Sequence, residues 1–144
     1  MTTRASAGTT APRIDPSRPV RVVGEHVTVA EALRVMRVAG VRHLPVIADG
    51  LCVGLLLDRD LVAAAVDGVT GPVGHLARRP VPTVEVDATT PRTARAVLAG
   101  GLDAALVTDG GVVVGIVTAT DALAALAAAD GPGDGGRPTE EESS

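Results

Sequence analysis

The stretch Gly40–Asp60 reads GVRHLPVIADGLCVGLLLDRD, and 61 positions further on Gly101–Asp121 reads GLDAALVTDGGVVVGIVTATD. Three glycines and the final aspartate keep one register without a gap: Gly40 with Gly101, Gly50 with Gly111, Gly54 with Gly115, and Asp60 with Asp121. The same register covers 20–66 and 81–127. Two copies are too few for a solenoid, which needs about three stacked repeats. The repeat therefore predicts one closed domain built from duplicated halves.

Each copy predicts the element order β-α-β-β-α. In the first copy, Thr28 and Glu31 have the spacing of a capping box, and Gly40 stands where a helix ends. In the second copy, Thr90 and Pro91 supply the N-cap and the first-turn proline. The predicted strands are Val20–Val23, Leu44–Ile47, Cys52–Leu57, Val81–Val86, Ala104–Thr108 and Val112–Thr118, and Ala-rich helices follow over Asp60–Val66 and Asp121–Ala129. Glycine-bearing breaks inside the paired runs indicate hairpins.

The domain boundaries follow from this pattern. We expect disordered tails over 1–12 and 130–144, two copies over 13–67 and 81–129, and a connector rich in glycine and proline over 68–80. A unit of roughly 45 residues is near the lower limit for independent folding. The two copies are therefore expected to pack sheet to sheet around a shared core, giving an α+β fold with pseudo-twofold symmetry.

Composition excludes several function classes. The chain carries 13 basic and 17 acidic residues and lacks Phe, Trp and Tyr, whereas nucleic-acid binders have a basic surplus and stacking aromatics. We expect neither membrane association nor a secretory signal, because no apolar stretch reaches roughly 18 residues and the first residues are polar. The single cysteine, Cys52, fits a reducing compartment, so a cytoplasmic location is expected. No His or Cys cluster has the spacing of a metal site, so we expect none. The sequence also lacks an activated nucleophile and a pair of carboxylates, so we do not expect an enzyme.

The last predicted strand of the second copy leads into a motif with groups that can bind a ligand, Gly115-Ile-Val-Thr118-Ala-Thr120-Asp121. A strand here delivers the chain to a helix N-terminus, where free N–H groups and the positive end of the dipole favour a phosphate. The Thr118 hydroxyl can donate a hydrogen bond, and the Asp121 carboxylate can accept hydrogen bonds from the two hydroxyls of a ribose. The same Thr-x-x-Asp spacing is also a capping box, which requires no ligand.

The motif resembles the nucleotide motif of CBS domains, named from cystathionine β-synthase, and the resemblance spans nearly all of 20–129. It implies a tandem CBS pair, or Bateman module, that binds an adenine nucleotide or a related adenosyl ligand and needs no other cofactor. Adenine would lie against Thr83, Val84, Ala105 and Leu106, and the remaining contacts would come from Gly115, Thr118, Thr120 and Asp121. In the first copy the resemblance keeps Asp60 but places Leu57 at the hydroxyl position. We therefore expect one competent site, with Asp60, Arg59 and His43 as further candidate ligand contacts.

The function that this resemblance implies is regulatory and non-catalytic. An adenosine ligand, such as ATP, ADP or AMP, would report cellular energy status and shift the conformation of the module. The regulated partner would be another protein or another copy of the same chain, and CBS pairs commonly form homodimeric discs. The alternative is a ligand-free structural or interaction module, which Leu57 and Asp103 favour, because Asp103 stands where the first copy has Arg42.

Overall fold

The computed structural model describes residues 11–14 and 20–133, with side chains described as far as Ala128. Within these described residues, seven strands and four α-helices follow one another in the order that the repeat predicts, apart from one additional strand at the start. They are β1 (Arg13–Ile14), β2 (Val23–Gly24), α1 (Val29–Ala39), β3 (His43–Ala48), β4 (Leu51–Leu57), α2 (Asp58–Val66), β5 (Thr83–Glu85), α3 (Thr90–Ala99), β6 (Ala104–Asp109), β7 (Val112–Thr118) and α4 (Ala119–Gly133).

The sheet has the strand order β2-β3-β4-β1-β7-β6-β5. The order is symmetric about β1, because β2, β3 and β4 of the first copy correspond to β5, β6 and β7 of the second. In each copy the first strand pairs parallel with the second, and the second pairs antiparallel with the third. A register shift after Val46 in β3 recurs after Val107 in β6. These matching irregularities confirm the duplicated α+β architecture.

Strand β1 was not predicted, because two residues beside a polar tail carry no alternating pattern. Arg13 pairs with Leu51 of β4 and with Val112 of β7. β1 therefore joins the two three-stranded halves into one hydrogen-bonded sheet. The predicted packing of the copies around a shared core is also present, because β4 shares apolar clusters with the second copy. The tail expected over 1–12 is also shorter, since the Cys52 N–H donates to the Pro12 carbonyl at 2.7 Å. Residues 1–10 lie outside the described part of the chain.

Helix boundaries follow the capping chemistry. The Thr28–Glu31 capping box is formed in full, and α1 ends at Gly40 with a left-handed φ of 69°. In α3 the N-cap is Thr89, the repeat partner of Thr28, and Thr90 is already inside the helix, one residue from the prediction. Helices α2 and α4 begin two residues before the predicted starts, immediately where β4 and β7 end.

Helix α4 also ends later than predicted. The helix runs through the predicted end at Ala129 to Gly133. The sequence Asp130-Gly-Pro-Gly133 has a low helix propensity, which is why the prediction ended the helix before it. The rest of the tail predicted over 130–144 lies outside the described residues. The connector contains one short 3-10 turn, Gly74–Leu76, in a segment that was predicted to be wholly irregular.

Both hairpins turn through two residues with positive φ, Asp49-Gly50 and Gly110-Gly111. Two left-handed residues define a type I′ turn, whose twist matches that of the flanking strands. The hairpins predicted from these glycines are thus confirmed.

The buried apolar residues form one cluster within the first copy and two clusters shared between the copies. The first cluster packs α1 and α2 against the sheet through residues such as Met36, Leu56 and Leu61. One shared cluster joins Leu55 and Leu57 of β4 to Leu102 and Ala104, and the other joins Cys52 to Leu106 and Val113. The halves therefore share a core, and this core fixes how the two repeat motifs face each other.

Candidate functional site

A cleft of about 590 Å³ lies between the two copies, where β4 passes into α2 and β7 passes into α4. Its walls are Gly40–His43, Leu57–Arg59, Asp103, Ile116 and Thr118–Asp121. Many of these residues occupy equivalent positions in the two copies of the repeat, so the cleft lies across the pseudo-twofold axis. The N-termini of both helices line the cleft, so the positive ends of both dipoles lie there. The first N–H group of each helix is already engaged, since Asp58 donates to the Arg42 carbonyl and Ala119 to the Asp103 carbonyl.

Thr118 and Asp121 form the α4 wall of the cleft. The Asp121 carboxylate Oδ2 accepts hydrogen bonds from the Thr118 backbone N–H at 2.9 Å and from its hydroxyl at 3.0 Å. The Thr118 Oγ1 in turn accepts from the Asp121 N–H at 3.3 Å. This is a complete capping box, and both side chains also line the cleft. Among the described residues, no hydrogen bond engages the second carboxylate oxygen, Oδ1.

The opposite wall carries cationic side chains from the first copy. Arg42 Nε lies 3.3 Å from Asp58 Oδ2, and Arg59 Nη1 lies 3.9 Å from Asp103 Oδ2. The second of these ion pairs crosses between the copies. Both arginine side chains are more than half exposed, and ion pairs of this kind contribute roughly 0–1 kcal/mol, so an incoming anion can displace the carboxylates at small cost.

His43 links the two walls. Its Nε2 lies 3.0 Å from the Leu102 carbonyl oxygen of the second copy. A carbonyl oxygen only accepts hydrogen bonds, so Nε2 carries the proton in this arrangement. His43 therefore holds the copies together at the edge of the cleft.

Three of the predicted contact residues of the second copy, Thr118, Thr120 and Asp121, line the cleft, and so do Arg59 and His43 of the first. Gly115 lies on β7, three residues before Thr118, opposite Val107 and outside the cleft lining. The structure thus brings the C-terminal part of the second-copy motif, Thr118–Asp121, together with Arg59 and His43 of the first copy.

The four residues expected to contact adenine lie outside the lining of this cleft, and their assignment stays a prediction. Ala105 and Leu106 are fully buried in β6. Thr83 and Val84 lie on β5, two strands from β7 and therefore roughly 10 Å away across the sheet. The other residues that line the cleft with Thr118 and Asp121 include Gly40–His43 and Leu57–Arg59 of the first copy.

Sequence reasoning missed Gly40, Val41 and Asp58 as parts of the cleft. The repeat register contained a signal for the helix-start residues, since Asp58 corresponds to Ala119. It contained none for the position of the Gly40–His43 segment, which depends on how the two copies pack.

Asp60 has a different environment from Asp121. Its carboxylate accepts two hydrogen bonds from the Arg78 guanidinium, at 2.8 Å from Nε and 2.9 Å from Nη2. These hydrogen bonds, and to a lesser degree the charge of Asp60, raise the pKa of Arg78 above its ordinary value. Asp60 is absent from the lining of the cleft.

Neither a metal centre nor a membrane span emerges from the described residues. Within 11–14 and 20–133, no three His, Cys, Asp or Glu side chains are grouped so that they could hold a metal ion. In the same ranges, every helix is too short or too polar to span a bilayer.

The CBS domain family model matches residues 13–67 and 73–128 of the chain. The chain belongs to the CBS domain family. Its two matched segments are the two copies of the repeat, so the protein is a tandem CBS pair, as the resemblance implied. A comparison with curated proteins found no match.

Solved structures of CBS pairs share this fold. The CBS domain pair of protein MJ0100, in complex with 5′-methylthioadenosine and S-adenosyl-L-methionine, is 23% identical with a TM-score of 0.68, covering 78% of this chain and 91% of that one. The CBS-domain containing protein ATU1752 from Agrobacterium tumefaciens is 24% identical with a TM-score of 0.67, covering 76% and 85%. The CBS domain of the bacterial CNNM/CorC family Mg²⁺ transporter, in complex with ATP, is 18% identical with a TM-score of 0.63, covering 73% and 77%.

Proposed function

We propose that this CBS pair is a regulatory module that binds one adenine nucleotide or adenosyl ligand in the cleft between its copies. The observation that carries the proposal is the meeting of Thr118 and Asp121 with Arg42, His43 and Arg59 across the pseudo-twofold axis. A ribose hydroxyl can donate to Asp121 Oδ1, which accepts no hydrogen bond from the described residues, and the positive ends of the two helix dipoles favour a phosphate or carboxylate. Solved relatives bind ATP, 5′-methylthioadenosine or S-adenosyl-L-methionine.

The charge of the cleft supports several members of this ligand class. Two arginines face three aspartates, Asp58, Asp103 and Asp121, so the lining is not strongly basic. A polyphosphate tail would exchange the carboxylate partners of Arg42 and Arg59 for its own oxygens. An adenosyl ligand without phosphates would leave these ion pairs in place.

The regulatory effect would follow from the contacts between the copies. Arg59 with Asp103 and His43 with the Leu102 carbonyl join the two halves at the cleft. A ligand that binds Arg59 changes the balance of these contacts, and it acts only through its different affinity for the two arrangements. The role is non-catalytic and includes energy sensing in the cytoplasm, where the buried Cys52 thiol would stay reduced.

The proposal includes a homodimer. Helices α2 and α4 expose large apolar side chains: Val62 (51% exposed), Val66 (80%), Leu123 (68%) and Leu126 (40%). Exposed apolar surface of this kind favours association, and membership of the CBS domain family, whose pairs commonly form homodimeric discs, supports the same assembly. Sedimentation analysis should give twice the mass of the 14.4 kDa chain, and Leu123→Asp should shift the mass towards the monomer.

Isothermal titration calorimetry with AMP, ATP and S-adenosylmethionine tests the ligand proposal. Asp121 and Glu31 both occupy the third position of a helix and close a capping box, but only Asp121 lines the cleft. We expect Asp121→Asn to weaken binding at least tenfold, and the matched control Glu31→Gln to leave it unchanged. Absence of binding of all three compounds at millimolar concentration would refute the proposal.

A ligand-free structural module is the second candidate. It is favoured by the complete Thr118–Asp121 capping box, which gives both side chains a role without any ligand. This alternative predicts that Asp121→Asn and Glu31→Gln lose comparable stability and that no nucleotide accompanies the purified protein. Because the chain has no aromatic residues, absorbance near 260 nm after nuclease treatment detects a bound purine directly.

A further inference from the structure

Asp60 and Asp121 occupy equivalent positions in the repeat but have different partners. Asp121 lines the cleft with one carboxylate oxygen free of hydrogen bonds from the described residues. Both carboxylate oxygens of Asp60 accept hydrogen bonds from Arg78, and the Asp60 side chain is only 22% exposed. A bidentate arginine–carboxylate pair is directional as well as charged, so it holds both side chains in one geometry.

The main chain around Arg78 is fixed independently of its side chain. The Arg78 N–H donates to the Leu55 carbonyl at 2.8 Å, and the Leu55 N–H donates to the Arg78 carbonyl at 3.0 Å. Beside this bridge, a Cβ on Gly54 would lie 2.6 Å from the Ala77 Cβ. Close approach of the connector to β4 thus requires a glycine at position 54, and it places the Arg78 guanidinium over Asp60.

The neighbouring hydroxyl position is also lost in this copy. Leu57 stands where the second copy has Thr118, and its side chain is buried in the core shared by the two copies. Helix α2 accordingly begins without a side-chain cap. In place of the Thr118 hydroxyl, the first copy therefore has a buried apolar side chain. In place of the Asp121 carboxylate, it has a carboxylate that is already paired with Arg78.

We infer that Arg78 acts as a built-in occupant of the first-copy ligand position, so that Asp60 anchors the connector and the module binds a single ligand at Asp121. This inference rests on the proposed function for its ligand, and on the Arg78 contacts alone for the anchoring role. The Asp60–Arg78 pair, together with the Leu55–Arg78 bridge, is called the connector clasp below.

Calorimetry with AMP and S-adenosylmethionine tests the ligand part. We expect one equivalent per chain in the wild type, and affinity within about twofold of wild type for both Asp60→Asn and Arg78→Gln. A second equivalent in the wild type, or a tenfold loss of affinity in Asp60→Asn like that expected of Asp121→Asn, would overturn the inference. Absence of all binding would instead refute the proposed function and, with it, the ligand part.

Amide hydrogen exchange measured by nuclear magnetic resonance tests the anchoring role without any ligand. Asp60→Asn and Arg78→Gln should each raise the exchange rates of the Leu55 and Arg78 amides by about tenfold, because the bridge opens more often once the side-chain pair is lost. Asp58→Asn, on the same helical turn but paired with Arg42, is the matched control and should leave these rates unchanged. Equal exchange rates in wild type and both clasp variants would show that Asp60 does not anchor the connector.

Discussion

Single residues at helix starts have two separable roles in this protein. Thr28 and Thr118 each cap a helix and each pair with an acidic residue three positions on. Thr28 lies beyond the cleft, whereas Thr118 lines it. The two threonines therefore offer a comparison in which the capping contribution is similar and only the position differs.

Thr118→Ala should lower the free energy of unfolding by about 1 kcal/mol, because the start of α4 loses its cap. Thr28→Ala should cost a similar amount at α1. Urea unfolding followed by far-ultraviolet circular dichroism measures both losses. Nucleotide affinity should fall in Thr118→Ala and stay unchanged in Thr28→Ala, and equal affinities in the two variants would contradict a binding role for Thr118.

Cys52 is the second test at the residue scale. Burial raises the pKa of its thiol, although hydrogen bonds with the Gly54 and Val46 backbone act in the opposite direction. A raised folded-state pKa favours the neutral thiol in the native protein. This contribution to the free energy of unfolding is complete below the unfolded-state pKa of about 8.5, and it is lost as the pH rises through the folded-state pKa. We expect the thiol to react with a disulfide reagent at pH 8 far more slowly in the native protein than in urea. Equal rates would show that Cys52 is accessible.

At the scale of elements, the repeat in the sequence predicted nearly every strand and helix because each is bounded by strong local signals. Hairpin glycines, capping threonines and apolar runs act over a few residues and need no information from the other copy. β1 and the clasp of Arg78 on β4 were not predicted, since both depend on contacts between segments far apart in the sequence.

Gly54 and Gly115 make a matched pair on β4 and β7. A Cβ at Gly54 would collide with Ala77 and lie 3.2 Å from the Arg78 carbonyl oxygen, whereas among the described residues nothing lies within 4 Å of a Cβ at Gly115. We expect Gly54→Ala to destabilise the fold by roughly 1–3 kcal/mol, as overpacking does, and Gly115→Ala to change stability little. Thermal unfolding measures both. A Gly54→Ala variant as stable as wild type would show that the connector does not pack closely on β4.

At the scale of the whole molecule, the copies depend on each other through their shared core. Leu55 is fully buried against residues that include Leu102 and Ala104 of the second copy. Leu55→Ala should therefore cost about 2–5 kcal/mol and destabilise both copies together in one cooperative transition. Two separate transitions in urea would contradict a single shared core.

The site could be predicted only in part, because its two walls come from different copies. Thr118 and Asp121 were identified from the motif itself, since a helix start after a strand is a local feature. Of their facing segment, Gly40–His43, only His43 was named as a candidate contact, and Gly40 and Val41 were missed. Which surfaces of two copies meet is decided by the packing of the shared core, which no short pattern encodes.

Backbone amide chemical shifts of the isotope-labelled protein, followed during titration with AMP and with S-adenosylmethionine, test the central claim most directly. If a ligand binds between the copies, the shifts should change together at Gly40–His43 and at Thr118–Asp121, and Asp121→Asn should abolish the changes. Changes confined to Thr83–Glu85 and Ala105–Leu106, or no change with either compound at millimolar concentration, would contradict the account.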